Sequence, residues 1–304
     1  MKKTVYLIGN PIAGGGAQRE IEKAQSLLTA EGCEVSLFLT RQKGDAEAYA
    51  RKIAEKAVRS AVPMVIAAGG DGTINEVANG LAGSSVPMAI LPFGTTSVLA
   101  REIGIRPGDT EGAVQYALRF PPNPVSLGRL AFPDGSNRFF LLMAGIGFDG
   151  EVVHGMNPAL KRWVGKGAYA LSTFRTVLKY KPRPLSVAYA RVDGSVAELR
   201  GTSVIVSNAS RYGGEFVITP GADLSSPSLK LMVAQASRPG DFLSVLAAIA
   251  RGKTIPGATY ETVTSVRVDG ESHMQIDGDY AGTTPVVIDV VPGSLQLVMR
   301  RVSA

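Results

Sequence analysis

The chain of 304 residues contains one cysteine, Cys33. A single thiol excludes an internal disulfide framework and any cysteine-built zinc centre, and it fits a reducing compartment. Histidine occurs twice, at His154 and His273, which excludes a histidine-rich metal cluster. With no G-x-S-x-G elbow in the sequence, a Ser-His-Asp hydrolase is not expected either. Long apolar runs are also missing: the longest, Phe242 to Ala250, has about half of the roughly 20 residues that a membrane-crossing helix needs. The apolar stretch before Asn10-Pro11 is too short for the core of a signal sequence and reads as a first strand. Charged residues make up 19% and hydrophobic ones 45%, a globular composition, and the length suits about two domains.

Glycine is in excess, at 35 residues against a usual share of ~7%, so many backbone positions must turn sharply or approach something closely. The 32 basic and 26 acidic residues leave a net charge of +6, which favours an anionic partner without choosing among nucleotide phosphate, nucleic acid and anionic lipid.

Over the first 105 residues, short apolar runs alternate with segments of helical period, the pattern of repeated βα units around a parallel sheet. Strands are expected at Val5 to Ile8, Val35 to Leu39, Val62 to Ala68 and Met88 to Leu91. Helices are expected at Gln18 to Ala30, Asp45 to Ser60, Thr73 to Leu81, Thr96 to Ile103 and Glu111 to Arg119. Pro121, Pro122 and Pro124 mark a boundary, giving an α/β domain over 1–124 and a β-rich domain over 125–304. The second is expected to be two packed antiparallel sheets, with strands at Phe139 to Ala144, Leu185 to Val192, Thr202 to Ser207, Phe216 to Thr219, Leu229 to Val233, Ser265 to Val268, Val286 to Val291 and Leu295 to Met299. Helices interrupt it at Leu160 to Tyr180 and Phe242 to Arg251.

Three glycine turns follow predicted strands: Asn10 to Gly16, Gly69-Gly70-Asp71-Gly72-Thr73, and Pro92-Phe93-Gly94-Thr95-Thr96. In an open parallel sheet these emerge on one edge, where ligands bind. Glycine lets a phosphate come close to the backbone, and each following helix offers free N–H groups. That combination suits a polyphosphate. The standard fingerprints do not fit: Gly15 stands where a P-loop needs lysine, and Gly70-Asp71-Gly72 lacks the third glycine of a dinucleotide turn. Asp71, a carboxylate among phosphate-facing glycines, would repel the ligand unless it held a cation or took a proton, both tasks of phosphoryl transfer. Asn75 and Glu76 follow within one helical turn, where a glutamate also serves ordinary dipole compensation.

The string Gly69-Gly70-Asp71-Gly72-Thr73-Ile74-Asn75-Glu76-Val77-Ala78-Asn79-Gly80-Leu81 resembles the catalytic region of the diacylglycerol kinase, sphingosine kinase and ceramide kinase superfamily, and more closely its short bacterial lipid kinases. Asn10-Pro11, Pro92-Phe93-Gly94-Thr95-Thr96, Gly145-Ile146-Gly147-Phe148-Asp149 and Asp277-Gly278-Asp279 extend the resemblance over nearly the whole chain. It implies a nucleotide-binding α/β domain like that of NAD kinases and phosphofructokinases, a C-terminal β-sandwich for the lipid, and ATP with Mg2+ between them. On this resemblance Asn10, Pro11, Ile12, Ala13, Gly14, Thr40, Gly69, Gly70, Gly72, Thr73, Asn75, Glu76, Gly94 and Thr95 line the ATP site. Asp71, Asp277 and Asp279 are the expected catalytic carboxylates, with Asp71 and Asp279 as metal ligands. Asp-Gly occurs six times in the chain, and between strands it is also hairpin chemistry.

The chain departs from the family pattern at three places. Asp279 replaces its usual glutamate, Ser97-Val98 stand where many relatives have Asn-Asp, and Ser226-Pro227 replace an Asp-Gly in a metal-binding loop. Residues 159 to 183 carry seven basic side chains and no acid around Trp163, Tyr169 and Phe174, a composition suited to an anionic bilayer surface and equally to a solvated helix face. Phe242, Leu243, Val245, Leu246 and Ile249 suit either an acyl channel or core. The expected function is an ATP- and magnesium-dependent lipid kinase acting on a neutral lipid such as diacylglycerol, ceramide or a long-chain base. The expected setting is cytoplasmic, peripheral to the inner face of the membrane, with a homodimer among the assemblies and no nucleic acid partner. Kinases of NAD or another soluble alcohol, and a catalytically silent nucleotide- or lipid-binding regulator, are the alternatives.

Overall fold

The computed structural model describes residues 3–57, 62–94, 96–155, 181–214, 216–235, 248, 251 and 253–300. The chain forms two compact units, Met1–Ser126 with Gly293–Ala304, and Leu127–Pro292.

In the first unit, β1 (Thr4–Gly9), α1 (Ala17–Ala30), β2 (Glu34–Leu39), α2 (Asp45–Ala57), β3 (Met64–Gly69), α3 (Asp71–Leu81), β4 (Pro87–Pro92), α4 (Val98–Glu102) and α5 (Thr110–Arg119) alternate as expected. Strand β5 (Pro122–Ala131) begins at the proline cluster itself, as the first residue of a strand allows. The strands are parallel in the order β2-β1-β3-β4. Every residue of β3 is buried while β2 at the edge is half exposed, the pattern of a parallel sheet covered by helices on its faces. Ala17, Ile21, Ala24 and Leu28 of α1 are buried at helical spacing, as are Ile74, Val77, Ala78 and Leu81 of α3. Helix α4 starts two residues later than the periodicity predicts, because Ser97 takes a left-handed conformation with φ 45°.

The second unit contains β6 (Asn137–Phe140), β7 (Met143–Gly147), α6 (Phe148–His154), β8 (Leu185–Arg191), β9 (Val196–Gly201), β10 (Ser203–Ser207), the short hairpin β11 (Arg211–Tyr212) and β12 (Phe216–Val217), β13 (Leu229–Ala234), β14 (Thr259–Asp269), β15 (His273–Ile276), β16 (Asp279–Thr283) and most of β17 (Val286–Val298). One antiparallel layer runs β16-β15-β7-β10-β13-β14, and a second runs β9-β8-β14-β17. Strand β14 belongs to both. Its first residues pair with β13 and its last with β8 and β17, with a shift of register between Val263 and Ser265, the way a bulge lets one strand change sheets. Val204, Val206, Leu231, Val233, Met274 and Ile276 of the first layer share a core with Leu185, Val187, Val266, Val268 and Ile288 of the second. The alternate residues Ile205, Met232 and Ala234 join Met143, Ile218 and Ile255 in another cluster. Strands β10 and β13 are therefore apolar on both faces and read as continuous hydrophobic runs.

Several expectations need correction. Phe139 to Ala144 is two strands, broken at Leu141-Leu142 by a side chain described below. Val286 to Val291 and Leu295 to Met299 are parts of the single strand β17, whose Gln296 and Leu297 run parallel to β4. Residues from Gly293 onward thus belong to the first unit and not to the domain over 125–304. Helix α6 and strands β9, β15 and β16 were not expected. The helix expected at Leu160 to Tyr180 lies outside the described residues, as does nearly all of Phe242 to Arg251.

Candidate active site

Strands β1 and β3 are neighbours whose following helices lead to opposite sides of the sheet, so the turns after them open at its switch point, the usual place for a ligand in such sheets. These two turns are bonded to each other. The Asn10 side chain accepts the Ile12 N–H at 3.1 Å and donates through Nδ2 to Thr73 Oγ1 at 3.2 Å. The turn after β4 joins them: Phe93 N–H donates to the Gly69 carbonyl at 2.8 Å, and a Cβ on Gly94 would stand 2.8 Å from the Gly70 Cα. Gly14 has φ 85°, and a Cβ there would lie 2.7 Å from the Phe93 carbonyl oxygen. Side chains are excluded where the three turns meet, while a Cβ at Gly15 or Gly16 would point into open space.

Thr40 N–H donates to the Gly9 carbonyl at 2.9 Å, and Glu76 Oε1 accepts the Gly44 N–H at 3.0 Å. Glu76 therefore anchors the loop after β2 from α3. Asn75 is buried, with the Asn79 amide donating to its Oδ1 at 3.0 Å. Pro11, Ile12 and Ala13 form the turn after β1, Ile12 being strongly exposed, and Gly72 lies in the first turn of α3. Thr95 lies outside the described residues.

Asp71 does work that its spacing did not predict. Its Oδ2 accepts the Val98 N–H at 3.1 Å and the Thr96 hydroxyl at 3.2 Å, and Oδ1 accepts the Leu99 N–H at 3.4 Å. The carboxylate thus caps the free N–H groups at the start of α4, from another element and with the charge sign a helix N-terminus favours.

Asp277 and Asp279 belong to the second unit. Asp277-Gly278 is a two-residue hairpin turn with positive φ at both positions, 49° and 87°, joining Ile276 to its ladder partner Asp279, as Asp-Gly between strands favours. The Asp277 carboxylate accepts N–H bonds from Leu141, Leu142 and Met143 at 2.8, 2.9 and 3.0 Å, and so forms the break between β6 and β7. Asp277 thus does the hairpin work that an Asp-Gly pair between strands suggests. Asp279 opens β16, half buried.

Behind this turn lies a polar chain absent from the expected site. Asp149, on α6, is buried; the Tyr212 hydroxyl donates to its Oδ1 and Gln275 Nε2 to its Oδ2 at 2.6 Å. Gln275 Oε1 in turn accepts the Gly278 N–H at 2.7 Å. Burial pushes the Asp149 carboxyl above the usual carboxylate range, and the bonds from Tyr212 and Gln275 pull the other way. Between the ordinary value near ~3.9 and the raised one, the folded protein keeps a proton that the unfolded chain releases. Stability from this group is full below that window and is lost as pH rises through it. Urea midpoints measured from about pH 4 to about pH 7 are expected to show the parent's margin over Asp149→Asn shrinking as the pH rises. Parallel curves would show that folding does not shift this titration.

Residues 4–130 match the family model of the diacylglycerol kinase catalytic domain, and residues 143–299 that of the YegS C-terminal NAD kinase beta sandwich-like domain. The chain belongs to the diacylglycerol kinase catalytic family. Diacylglycerol kinases of Staphylococcus haemolyticus and Mycobacterium tuberculosis are each 28% identical to it, over 94% of this chain and 84% of the first, and 98% of this chain and 95% of the second. A solved structure described as a diacylglycerol kinase from Bacillus anthracis is 25% identical with TM-score 0.75, covering 98% of this chain and 97% of that one. Membership of the diacylglycerol kinase family makes the protein a kinase of the lipid kinase type, and ATP is the donor that such a family implies.

The loop Asp223 to Ser228, set against a metal-binding loop only by the sequence resemblance, closes on itself. Asp223 Oδ1 accepts the Ser225 N–H at 2.9 Å and the Ser226 and Ser228 hydroxyls stand 2.8 Å apart. With Ser226-Pro227 in place of Asp-Gly, it brings one carboxylate, Asp223, one oxygen of which already accepts the Ser225 N–H. Among the described residues, no group of three or more His, Cys, Asp or Glu is arranged to hold a metal ion, and no helix is long and apolar enough to cross a membrane. The basic stretch 159–183 and the stripe Phe242 to Ile249 lie almost wholly outside the described residues. Sequence reasoning missed Tyr212 and Gln275 altogether, and nothing in their immediate surroundings marks them.

Proposed function

We propose that this kinase transfers the γ-phosphoryl group of ATP to a hydroxyl of a neutral lipid such as diacylglycerol, ceramide or a long-chain base. The observation that carries the reading is the bonded pair of turns after β1 and β3, held by Asn10 and Thr73, where glycines exclude side chains and backbone N–H groups can meet phosphate oxygens. The likeness to diacylglycerol kinases of two bacteria supports a lipid as acceptor. Mg2+ carried on the nucleotide would neutralise charge on the transferred group, with Asp71, beside the glycine turns, as a carboxylate for it.

A general base must reach the proton that it takes. Asp277 spends both oxygens on three backbone N–H groups, and Asp71 caps α4 with both of its own. We assign proton removal to Asp279, which opens β16 directly after the Asp277-Gly278 turn and is half buried, and give Asp71 the phosphate side of the reaction. Peripheral binding to an anionic bilayer through residues 159–183, on the cytoplasmic face, and a homodimer complete the proposal. Incubation with labelled ATP, Mg2+ and a total lipid extract in liposomes is expected to put label into a phosphorylated lipid. Label in a water-soluble alcohol such as NAD, or ATP binding with no transfer, would overturn it.

A further inference from the structure

We propose that Asp149 is a positioning residue for the phosphoryl transfer: through Gln275 it fixes the turn that carries Asp279, and through Tyr212 it ties that turn to the hairpin β11–β12. This rests on the reading of Asp279 as a participant in the reaction. The turn Asp277-Gly278 is held from two directions. On one side the Asp277 carboxylate grips the backbone of Leu141 to Met143; on the other the Gly278 N–H is held by Gln275 Oε1 at 2.7 Å.

Gln275 can hold that N–H in one orientation of its amide only. Its Nε2 must face an acceptor, and Asp149 Oδ2 supplies it at 2.6 Å; turning the amide over would set donor against donor at Gly278. Asp149 is in turn fixed on its other oxygen by the Tyr212 hydroxyl. Asp149 and Gln275 are 5% and 2% exposed, so water does not replace these bonds cheaply. Gly145 on β7 leaves the room they occupy: a Cβ there would lie 2.1 Å from Asp149 Oδ2 and 2.8 Å from Gln275 Nε2. A buried carboxylate is a costly way to fill space, and apolar residues of similar volume often serve stability as well or better. What it supplies here is direction: a single arrangement of donors and acceptors running from Tyr212 to the residue beside Asp279.

The test exchanges the two groups. Gln275→Glu alone sets two carboxyls against each other, and Asp149→Asn alone sets an amide N–H against a donor. In the double variant D149N/Q275E, the amide placed at position 149 donates to the carboxylate placed at position 275, which still accepts the Gly278 N–H. Each single change is expected to lower kcat for lipid phosphorylation about tenfold or more, with KM for ATP within about twofold, since small displacements of reacting groups cost rate. Each should also speed hydrogen exchange of the Gly278 amide by about tenfold, and the double variant should recover both readouts to within about threefold of the parent. Should a single variant not fold, a folded double variant with near-parental kcat and exchange is the rescue.

Parental kcat in a folded single variant, faster exchange with no change in kcat, or a double variant no better than the worse single one would overturn the proposal. A parent protein that labels no lipid would overturn the proposed function instead, and the exchange measurements would still decide whether the chain holds the turn.

Discussion

Asp71→Asn is expected to lower kcat by about 10²- to 10³-fold while the protein stays folded. The two jobs of this carboxylate can be separated because asparagine keeps its shape. The amide oxygen of the variant, set where Oδ2 stands, still accepts the Val98 N–H and the Thr96 hydroxyl, and only the longer bond from the Leu99 N–H is lost. What disappears is the negative charge beside the phosphate turns, worth roughly 0.3–1 kcal/mol to the helix terminus and far more to the reaction. Asp71→Ala removes the cap as well and should cost a further 0.5–2 kcal/mol or so, a fall in Tm of a few degrees at roughly 2–4 °C per kcal/mol. The expected signature is two variants with similar kcat losses and different melting temperatures. Parental turnover in Asp71→Asn would remove Asp71 from the chemistry and leave it as a cap alone.

Gly147→Ala is expected to have the largest effect on stability. Gly147 has φ 90° and ψ −125°, in a region that side-chain-bearing residues rarely enter. A Cβ there would stand 2.3 Å from the Thr202 carbonyl oxygen and 3.1 Å from the Ser203 Cα. Neither neighbour can retreat easily, since Ser203 is the ladder partner of Gly147 and pairs on its other side with Ala234. Strain and overpacking together place the expected loss at roughly 3–5 kcal/mol, a fall in Tm on the order of 10 °C, measurable by calorimetry or urea titration. A Tm within a degree or two of the parent would show that the end of β7 relaxes around a methyl group.

The first unit was legible because period and punctuation agree along it: strands of six residues, helices with apolar positions three and four apart, and glycine at each turn. The second unit was read correctly as a sandwich and less well in its parts. Strands β15 and β16 are four and five residues long, too short for alternation to stand out, and α6 has seven residues. The break after Phe140 has no local cause, being made by a carboxylate 134 to 136 residues away. Asp277-Gly278 carried two readings, hairpin and site, and it is a hairpin whatever else it does. The site followed the same division. Glycine turns announce themselves in sequence, whereas Asp149 meets Tyr212 and Gln275 across 63 and 126 residues. Such a chain exists only once the sandwich has formed.

The pairing of Gln296 and Leu297 with β4 sets an order on biosynthesis. The sheet of the first unit is begun by the first residues to leave the ribosome, yet its final strand comes from a segment translated after nearly everything else. Until then the apolar strand Pro87–Pro92 presents an open edge, the kind of surface on which nascent chains cluster or engage chaperones. A premature stop just ahead of residue 293 would therefore do its harm at the opposite end of the message, in the part of the protein that had been made first.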